Sequence, residues 1–311
     1  MALRIVAGTA NRALADAIAA TLYTEAASPM VERFPDGEVR PSVSRVRGAD
    51  VYLVHPTGPP VNDHVVELLL LLDACRRARA ARITAVVPYF GYARQDRRAE
   101  AGDAIGVRVM ADALAHAGAQ RLVVVDPHTV ALEAMCAIPV EMLTAVPALT
   151  RVLEKEAPAE AVVVAPDLGA AKLAQHYAAV LSRPVAVVLK TRVSGTSVMA
   201  EDLIGDVAGR PAVIVDDMIS TGATIEAAVE VLLSHGAVQE IVVAATHGLL
   251  VGTAKERLSR SPIRNIVVTD TLPQSDGQDL PIQVCSVAPL LGDAIGRLHL
   301  NEPLDHVMLR A

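Results

Sequence analysis

The chain has 311 residues, enough for two domains of ordinary size, each with its own core. Apolar residues make up 52% and aromatic residues 2%, and the formal net charge is −7, which excludes a base-stacking surface and an electrostatic footprint for nucleic acid. Cys75, Cys136 and Cys285 form an odd, scattered set with no CxxC pair, which argues for a reducing compartment and against a disulfide framework or a zinc site.

The amino terminus, MALRIVAGTA, enters a strand pattern directly, without a basic segment and signal-peptide core. Leu3 to Ala7 is that strand, and Asn11 to Leu22 a helix with apolar spacing at Leu14, Ile18 and Leu22. Arg33 to Glu38, RFPDGE, is a turn carrying two acids. Val51 to Val54 is a strand and Val61 to Arg79 a long helix. The leucine run of that helix, Leu68 to Leu72, is far too short to span a bilayer, so a cytoplasmic protein with no membrane partner is expected. Ile83 to Val87 is a strand leading into Pro88–Asp96, Ala104 to His116 a helix, and Leu122 to Val125 a strand that stops at Asp126-Pro127-His128.

A second run of the same kind follows. Leu149 to Glu156 is helical, Ala161 to Ala165 a strand ending in Pro166-Asp167-Leu168-Gly169-Ala170, and Ala171 to Leu181 a helix. Val185 to Leu189 is a strand ending on Lys190-Thr191-Arg192, and Val193 to Val198, with a Gly, two Ser and a Thr, is expected to be a mobile loop. Ala212 to Val215 is a buried strand expected to stop on Asp216 and Asp217, ahead of the loop Ser220-Thr221-Gly222-Ala223-Thr224 and a helix from Ile225. The strand Ile241–Ala245, the helix Thr253–Leu258 and the strands Ile266–Thr269 and Ile282–Val287 complete the series. Strands alternating with helices imply an α/β fold with mostly parallel sheets covered by helices on both faces. Asp50–Phe90 and Pro211–His247 repeat one plan, strand, loop, helix, strand. A boundary near Val146 divides the chain into residues 1–146 and 147–311.

Ligands of open parallel sheets sit beyond the carboxyl ends of the strands. His128, Asp167, Lys190 with Arg192, and Asp216 with Asp217 all fall there. Any one of them alone reads as a turn residue or surface charge. Together they describe a site. Backbone N–H groups at a helix start, with the hydroxyls of Ser220, Thr221 and Thr224, hold a phosphate, and the acid pair suits sugar hydroxyls. An imidazole and a carboxylate, His128 and Asp167, suit a divalent ion on nucleotide phosphates, and Lys190 and Arg192 suit charge developing on phosphoryl oxygens. Phe34 is either a core residue or an adenine face beside Asp36, Gly37 and Glu38, and Arg94-Gln95 is either a solvated loop or a set of phosphate and base contacts. His64, His116, His176, His235, His299 and His306 have no ligand spacing, while His247 ends a strand near the sugar loop. No GxxxxGK[ST] loop and no GxGxxG motif opens a helix, so ATP would not be bound as in a P-loop ATPase or protein kinase.

The segments RFPDGEV (Arg33–Val39), Pro60–Arg97 with its VVPYFGYARQDR, VVDPHT (Val124–Thr129), APDLGA (Ala165–Ala170), KTR (Lys190–Arg192) and VDDMISTGAT (Val215–Thr224) resemble, in order, those of the ribose-phosphate diphosphokinases, or PRPP synthetases. The resemblance implies two phosphoribosyltransferase-like domains, the first on the ATP side and the second on the ribose 5-phosphate side, assembled as a homo-oligomer (dimer or hexamer). It implies transfer of the diphosphoryl group of ATP to ribose 5-phosphate with Mg²⁺, giving PRPP and AMP. Lys190 would then be the catalytic lysine and Arg192 its partner. Asp216 and Asp217 would bind ribose hydroxyls, Ser220 to Thr224 the 5-phosphate, and His128 and Asp167 would match magnesium-linked positions. Arg94 and Gln95 would bind ATP together with Phe34, Asp36, Gly37 and Glu38, the latter turn reaching in from a neighbouring subunit.

The chain departs from the family pattern in five places, one of them a lysine-, arginine- and proline-rich stretch after Lys190 that is much reduced here. Ser220 stands where the common loop has an acid, Asp126-Pro127-His128-Thr129 replaces D-L-H-A, and Asp167-Leu168-Gly169-Ala170 replaces D-H-G-G. Glu100–Ile105 replaces the regulatory S-R-x-P-I run, so control by phosphate and ADP is not carried over. Two other readings stay open on sequence: a catalytically weak homologue partnering an active synthetase, and a transferase that consumes PRPP.

Overall fold

The computed structural model describes the backbone at residues 1–194, 197–274 and 280–309, and side chains throughout these except at 190–201. The chain divides into two compact units. One comprises Met1–Thr144, Thr271–Pro273 and Val287–Ala311, the other Ala145–Asp270 and Gln274–Ser286. The sequence-based division at Val146 follows chain order alone; the compact units differ from it by returning the last helix to the first unit.

The first unit opens with β1 (Leu3–Ala7) and α1 (Arg12–Thr21), continues through β2 (Ala26–Ala27), the paired strands β3 (Met30–Arg33) and β4 (Val39–Ser42), and β5 (Asp50–Val54). Then come α2 (Val61–Arg77), β6 (Arg82–Val87), α3 (Gly106–Ala117), β7 (Arg121–Val125), α4 (Leu132–Met135) and β8 (Val140–Leu143). Its parallel sheet runs β2-β1-β5-β6-β7-β8. Every residue of β5 is buried, as strands covered on both faces require, which is why these segments are apolar without alternation. Asn11 begins α1 by accepting the Leu14 N–H on its side chain at 3.2 Å, a cap of the kind that contributes about 1 kcal/mol.

The second unit contains α5 (Val146–Glu156), β9 (Val162–Ala165), α6 (Ala171–Leu181), β10 (Val185–Ser194), β11 (Ser197–Ile204), β12 (Ala212–Ile219), α7 (Ala223–Ser234), β13 (Ile241–Gly248), α8 (Ala254–Arg260), β14 (Ile263–Thr269) and β15 (Ile282–Cys285). Its sheet runs β11-β10-β9-β12-β13-β14-β15, parallel except for β11. The chain then returns to the first unit as α9 (Ala288–Leu300).

Two expectations are corrected. Val193–Val198 is not a loop through most of its length: β10 reaches Ser194 and pairs antiparallel with β11 from Ser197, because a backbone ladder satisfies N–H and C=O groups whatever the side chains. Residues 195 and 196 lie outside the described residues. The second correction is that β12 does not stop at Val215. It carries Asp216 and Asp217 within the strand and pairs with β13 through Ile219↔Gly248.

The repeated plan extends to whole sheets. β1-β5-β6-β7-β8 has the same connectivity in space as β9-β12-β13-β14-β15. In each set the helix that follows the first strand has a second helix packed beside it: α1 with α9, and α6 with α5. The helix that precedes β9 in sequence has its counterpart in the chain's last helix. Gly292 permits that docking, since a Cβ there would fall 1.9 Å from the Thr21 Oγ1 atom of α1. Asp50, only 1% exposed, anchors the same helix. It accepts from Arg82 Nε at 3.0 Å and lies 2.7 Å from His299 Nδ1 on α9.

Candidate active site

In the second unit, β9 and β12 are neighbours, and their carboxyl ends bring Asp167 near Asp216 and Asp217. Burial first, then the negative charge of Asp217, push the Asp216 carboxyl well above the usual carboxylate range, with Asp167 adding to the effect. The pair therefore resists a second ionisation until a hydrogen-bond donor or a cation arrives. Asp216 Oδ1 also accepts the Asp217 N–H at 2.9 Å. Asp167 turns its side chain back on its own loop, accepting from Gly169 N at 2.9 Å and Ala170 N at 3.3 Å.

Immediately beyond β12 the chain turns at Ser220 and Thr221 and enters α7 through Gly222, whose φ of 77° is the left-handed region that favours glycine. No side chain caps α7. The N–H groups of its first turn have no intrahelical acceptor, which makes the turn an anion cradle with Thr221 and Ala223 exposed beside it. The Val251 N–H donates to the Ser220 carbonyl at 3.0 Å and holds the back of the loop. Thus Asp167, Asp216, Asp217 and Ser220 to Thr224 gather at one edge of one sheet. His247 lies on the adjacent strand in register with Met218 and is buried within the sheet. β10 continues past Val187, its last partner on β9, so the backbone at Lys190 and Arg192 also extends toward that edge. The side chains of Lys190 and Arg192 lie outside the described residues.

In the first unit, β6 and β7 are neighbours, so Arg94, Gln95 and His128 follow their carboxyl ends. All three are exposed, and Arg94 makes no hydrogen bond or ion pair among the described residues. Phe34, Asp36, Gly37 and Glu38 sit apart from these, at the tip of the β3–β4 pair, which packs through β4 on α2. The Phe34 N–H donates to the Glu38 carbonyl at 2.8 Å, and the Arg40 guanidinium lies 5.5 Å from the Phe34 ring centroid. Phe34 is half-buried, which decides against a core residue. Among the described residues no bond joins this tip to Arg94 or Gln95.

Sequence reading missed what supports these positions. The loop after β5, in the place that Asp216–Gly222 takes in the second unit, is sealed. His55 and Thr57 are buried in it, with Glu67 of α2 beneath. Glu67 accepts from Thr9 N at 2.9 Å and Thr9 Oγ1 at 2.6 Å, and His55 Nε2 lies 3.0 Å from the His64 carbonyl. The repeat itself was the available signal: a copied loop that lacks the acid pair has lost that use and is free to acquire another.

Two mostly parallel sheets of one topology, one of them carrying an acid pair within a central strand and an uncapped helix start beyond it, define an α/β protein built of two phosphoribosyltransferase-like units. A family model described as the N-terminal domain of ribose phosphate pyrophosphokinase matches residues 3–118, and one described as the phosphoribosyl synthetase-associated domain matches residues 197–309. The ribose-phosphate pyrophosphokinase of Caldanaerobacter subterraneus subsp. tengcongensis is 43% identical over 300 residues, covering 96% of this chain and 95% of the relative. That of Aquifex aeolicus is 40% identical over 298 residues, covering 95% and 96%. The crystal structure of phosphoribosylpyrophosphate synthetase from Mycobacterium smegmatis aligns with a TM-score of 0.88 at 36% identity, covering 97% of this chain and 100% of that one. The chain belongs to the ribose-phosphate pyrophosphokinase family and is an enzyme. Among the described residues no helix is long and apolar enough to cross a membrane.

Proposed function

We propose that the protein transfers the diphosphoryl group of ATP to the anomeric hydroxyl of ribose 5-phosphate, giving PRPP and AMP. The observation that carries this reading is the acid pair Asp216–Asp217 on β12, followed after a short turn by the uncapped start of α7. The 5-phosphate is held by the N–H groups and hydroxyls of Ser220 to Thr224, and the ring hydroxyls are held by Asp216 and Asp217, which orients the anomeric oxygen. Ser220 contributes a hydroxyl donor to the phosphate where an acid would repel it. Arg94 and Gln95 bind ATP in the first unit, with the Phe34–Glu38 tip serving the ATP site of a neighbouring subunit in a homo-oligomer. Lys190 and Arg192 place positive charge on the phosphoryl oxygens and on the departing AMP, the largest contribution expected in a transfer that proceeds by positioning and charge stabilisation.

Magnesium fits the donor chemistry. Asp216 is raised by burial first and then by the negative charge of Asp217 and Asp167, and a cation relieves that repulsion. Among the described residues no group of three or more His, Cys, Asp or Glu side chains forms a cage, as suits an ion that keeps waters and substrate oxygens as ligands. Asp167 in the second unit and His128 in the first are the magnesium-linked positions of this reading. Bound Mg²⁺ would neutralise phosphate charge.

The test is product stoichiometry. Purified protein with Mg²⁺, ATP and ribose 5-phosphate is expected to release AMP and PRPP in equal amounts. Lys190→Ala is expected to lower turnover by roughly a hundredfold or more with the fold intact. Full activity in that variant refutes the role of Lys190, and absence of AMP from the wild-type protein refutes the activity.

A further inference from the structure

The two copies of the repeated plan treat their first loop differently. After β12 the loop is open at Thr221 and Ala223. After β5 its polar groups are consumed by the end of β6 and the turn that follows it. The His55 N–H donates to the Val86 carbonyl at 2.9 Å and the Thr57 N–H to the Tyr89 carbonyl at 2.9 Å. The Thr57 hydroxyl donates to the same Tyr89 carbonyl at 3.2 Å and accepts the Gly91 N–H at 2.7 Å. One buried hydroxyl therefore closes both sides of the Tyr89–Gly91 turn. Gly91 has no room for a side chain, since a Cβ would lie 2.6 Å from the Thr57 carbonyl oxygen.

Beyond the turn the constraints continue toward Arg94. Tyr92, at a φ of 67°, donates its hydroxyl to Asn62 Oδ1 at 2.5 Å on the first turn of α2. The Gln95 N–H donates to the Tyr92 carbonyl at 2.9 Å, and the Val107 N–H of α3 donates to the Gln95 carbonyl at 3.3 Å. Gly106 lets the Gln95 side chain lie against α3, because a Cβ there would be 2.5 Å from Oε1. Arg94 is thus exposed on a segment gripped at Gly91, Tyr92 and Gln95, and its head group makes no hydrogen bond or ion pair among the described residues. Of these grips only Thr57 belongs to the loop whose counterpart holds the sugar phosphate.

We propose that Thr57 is a positioning residue for the nucleotide: its hydroxyl fixes the Tyr89–Gly91 turn, and thereby the segment that presents Arg94 and Gln95 to ATP. The loop that cradles the acceptor in one unit has become the scaffold for the donor in the other. This inference rests on the reading that Arg94 and Gln95 bind ATP, so the experiment includes Arg94→Ala as a reference.

Initial rates are measured with the full-length protein, varying ATP at saturating ribose 5-phosphate and the reverse, for wild type, Thr57→Val, Thr57→Ala, Thr57→Ser and Arg94→Ala. Thr57→Val and Thr57→Ala leave the Gly91 N–H buried without its acceptor, and are expected to raise KM for ATP about tenfold while kcat changes by less than about threefold. KM for ribose 5-phosphate is expected to stay at the wild-type value, and Thr57→Ser to restore KM for ATP. Should Thr57→Val fail to fold, the comparison of Thr57→Ala with Thr57→Ser decides alone. A raised KM for ATP in Arg94→Ala with no rise in Thr57→Ala overturns the role of Thr57. Equal effects on both KM values, unrestored by serine, also overturn it by making Thr57 merely structural. An unchanged KM for ATP in Arg94→Ala overturns the ATP reading of the segment itself.

Discussion

Acid should weaken this protein through His55, and the size of the effect can be worked out. The imidazole is fully buried against Gly8, where a Cβ would fall 1.9 Å from Nδ1. Its Nε2 lies 3.0 Å from the His64 carbonyl, so the proton sits on Nε2 and Nδ1 keeps its lone pair, 3.7 Å from the Glu67 carboxylate. Burial dominates and lowers the pKa from 6.5 to about 4, although Glu67 pulls it up; the nearby His64 ring adds to the lowering. In the unfolded chain the group takes a proton near pH 6.5, whereas the folded protein refuses it until about pH 4. Stability is therefore complete above pH 6.5 and is lost as pH falls toward 4. Between the unfolded pKa and about pH 5 the loss is about 2 kcal/mol, at ~1.36 kcal/mol per pH unit. His55→Gln keeps an N–H for the His64 carbonyl and removes the titration. Urea midpoints near pH 7.5 and at about pH 5, read by circular dichroism, give the double difference, in which titrating groups distant from His55 cancel and its neighbours Glu67 and His64 are counted with it. That cancellation matters because Asp216, raised in the folded state, acts with the opposite sign and gains stability as pH falls. Equal acid losses in wild type and His55→Gln refute the reasoning.

Two further outcomes follow from buried groups. Asp50→Asn removes the buried charge that Arg82 and His299 face, and because Arg82 is itself 30% exposed the expected cost is about 1–3 kcal/mol, read as a fall in the thermal midpoint. Most of this loss should appear in the first unit, as faster amide exchange in α9 and β5 than in β12. Gly222→Ala forces a left-handed backbone on an alanine and sets a Cβ 3.2 Å from Leu258 Cγ. The backbone cost is about 1–2 kcal/mol. A selective rise in KM for ribose 5-phosphate, with KM for ATP unchanged, is the kinetic counterpart, and equal KM values for wild type and variant would separate the α7 start from phosphate binding.

Unbroken apolar runs interleaved with segments of helix periodicity made the parallel sheets legible, and Ala171–Leu181 is a helix at the same bounds in sequence and structure. Strand ends were harder. Nothing local to Asp216 and Asp217 says that β12 continues through them; the reason is the neighbouring ladder, where Met218 pairs with His247. A run rich in Ser and Gly at 193–198 looks like a loop until Val187↔Ile204 and Val188↔Leu203 set the register of a hairpin. The helix Ala288–Leu300 escaped notice because its partner is Thr21, distant in sequence. At the candidate site, the residue types after each strand were readable, and the structure gathers Asp167, Asp216, Asp217 and Ser220 to Thr224 at one sheet edge; their roles toward a phosphate and a diol belong to the proposal. Thr57 was not readable, because a lone threonine in a Gly- and Pro-rich loop carries no pattern, and its value lies in two bonds to a segment 32 and 34 residues away.

The return of α9 to the first unit has a consequence for synthesis. A chain leaving the ribosome exposes β1 to β8 and their helices while the surface of α1 around Thr21 still lacks its cover. The second unit needs nothing past Ser286, whereas the first waits for Ala288–Leu300 and its His299 anchor to Asp50. At ordinary translation speeds the interval between Thr144 and that helix is roughly 8–30 s, ample time for a domain to collapse. The half of the molecule made first is thus the half that receives its last helix only at the end of synthesis.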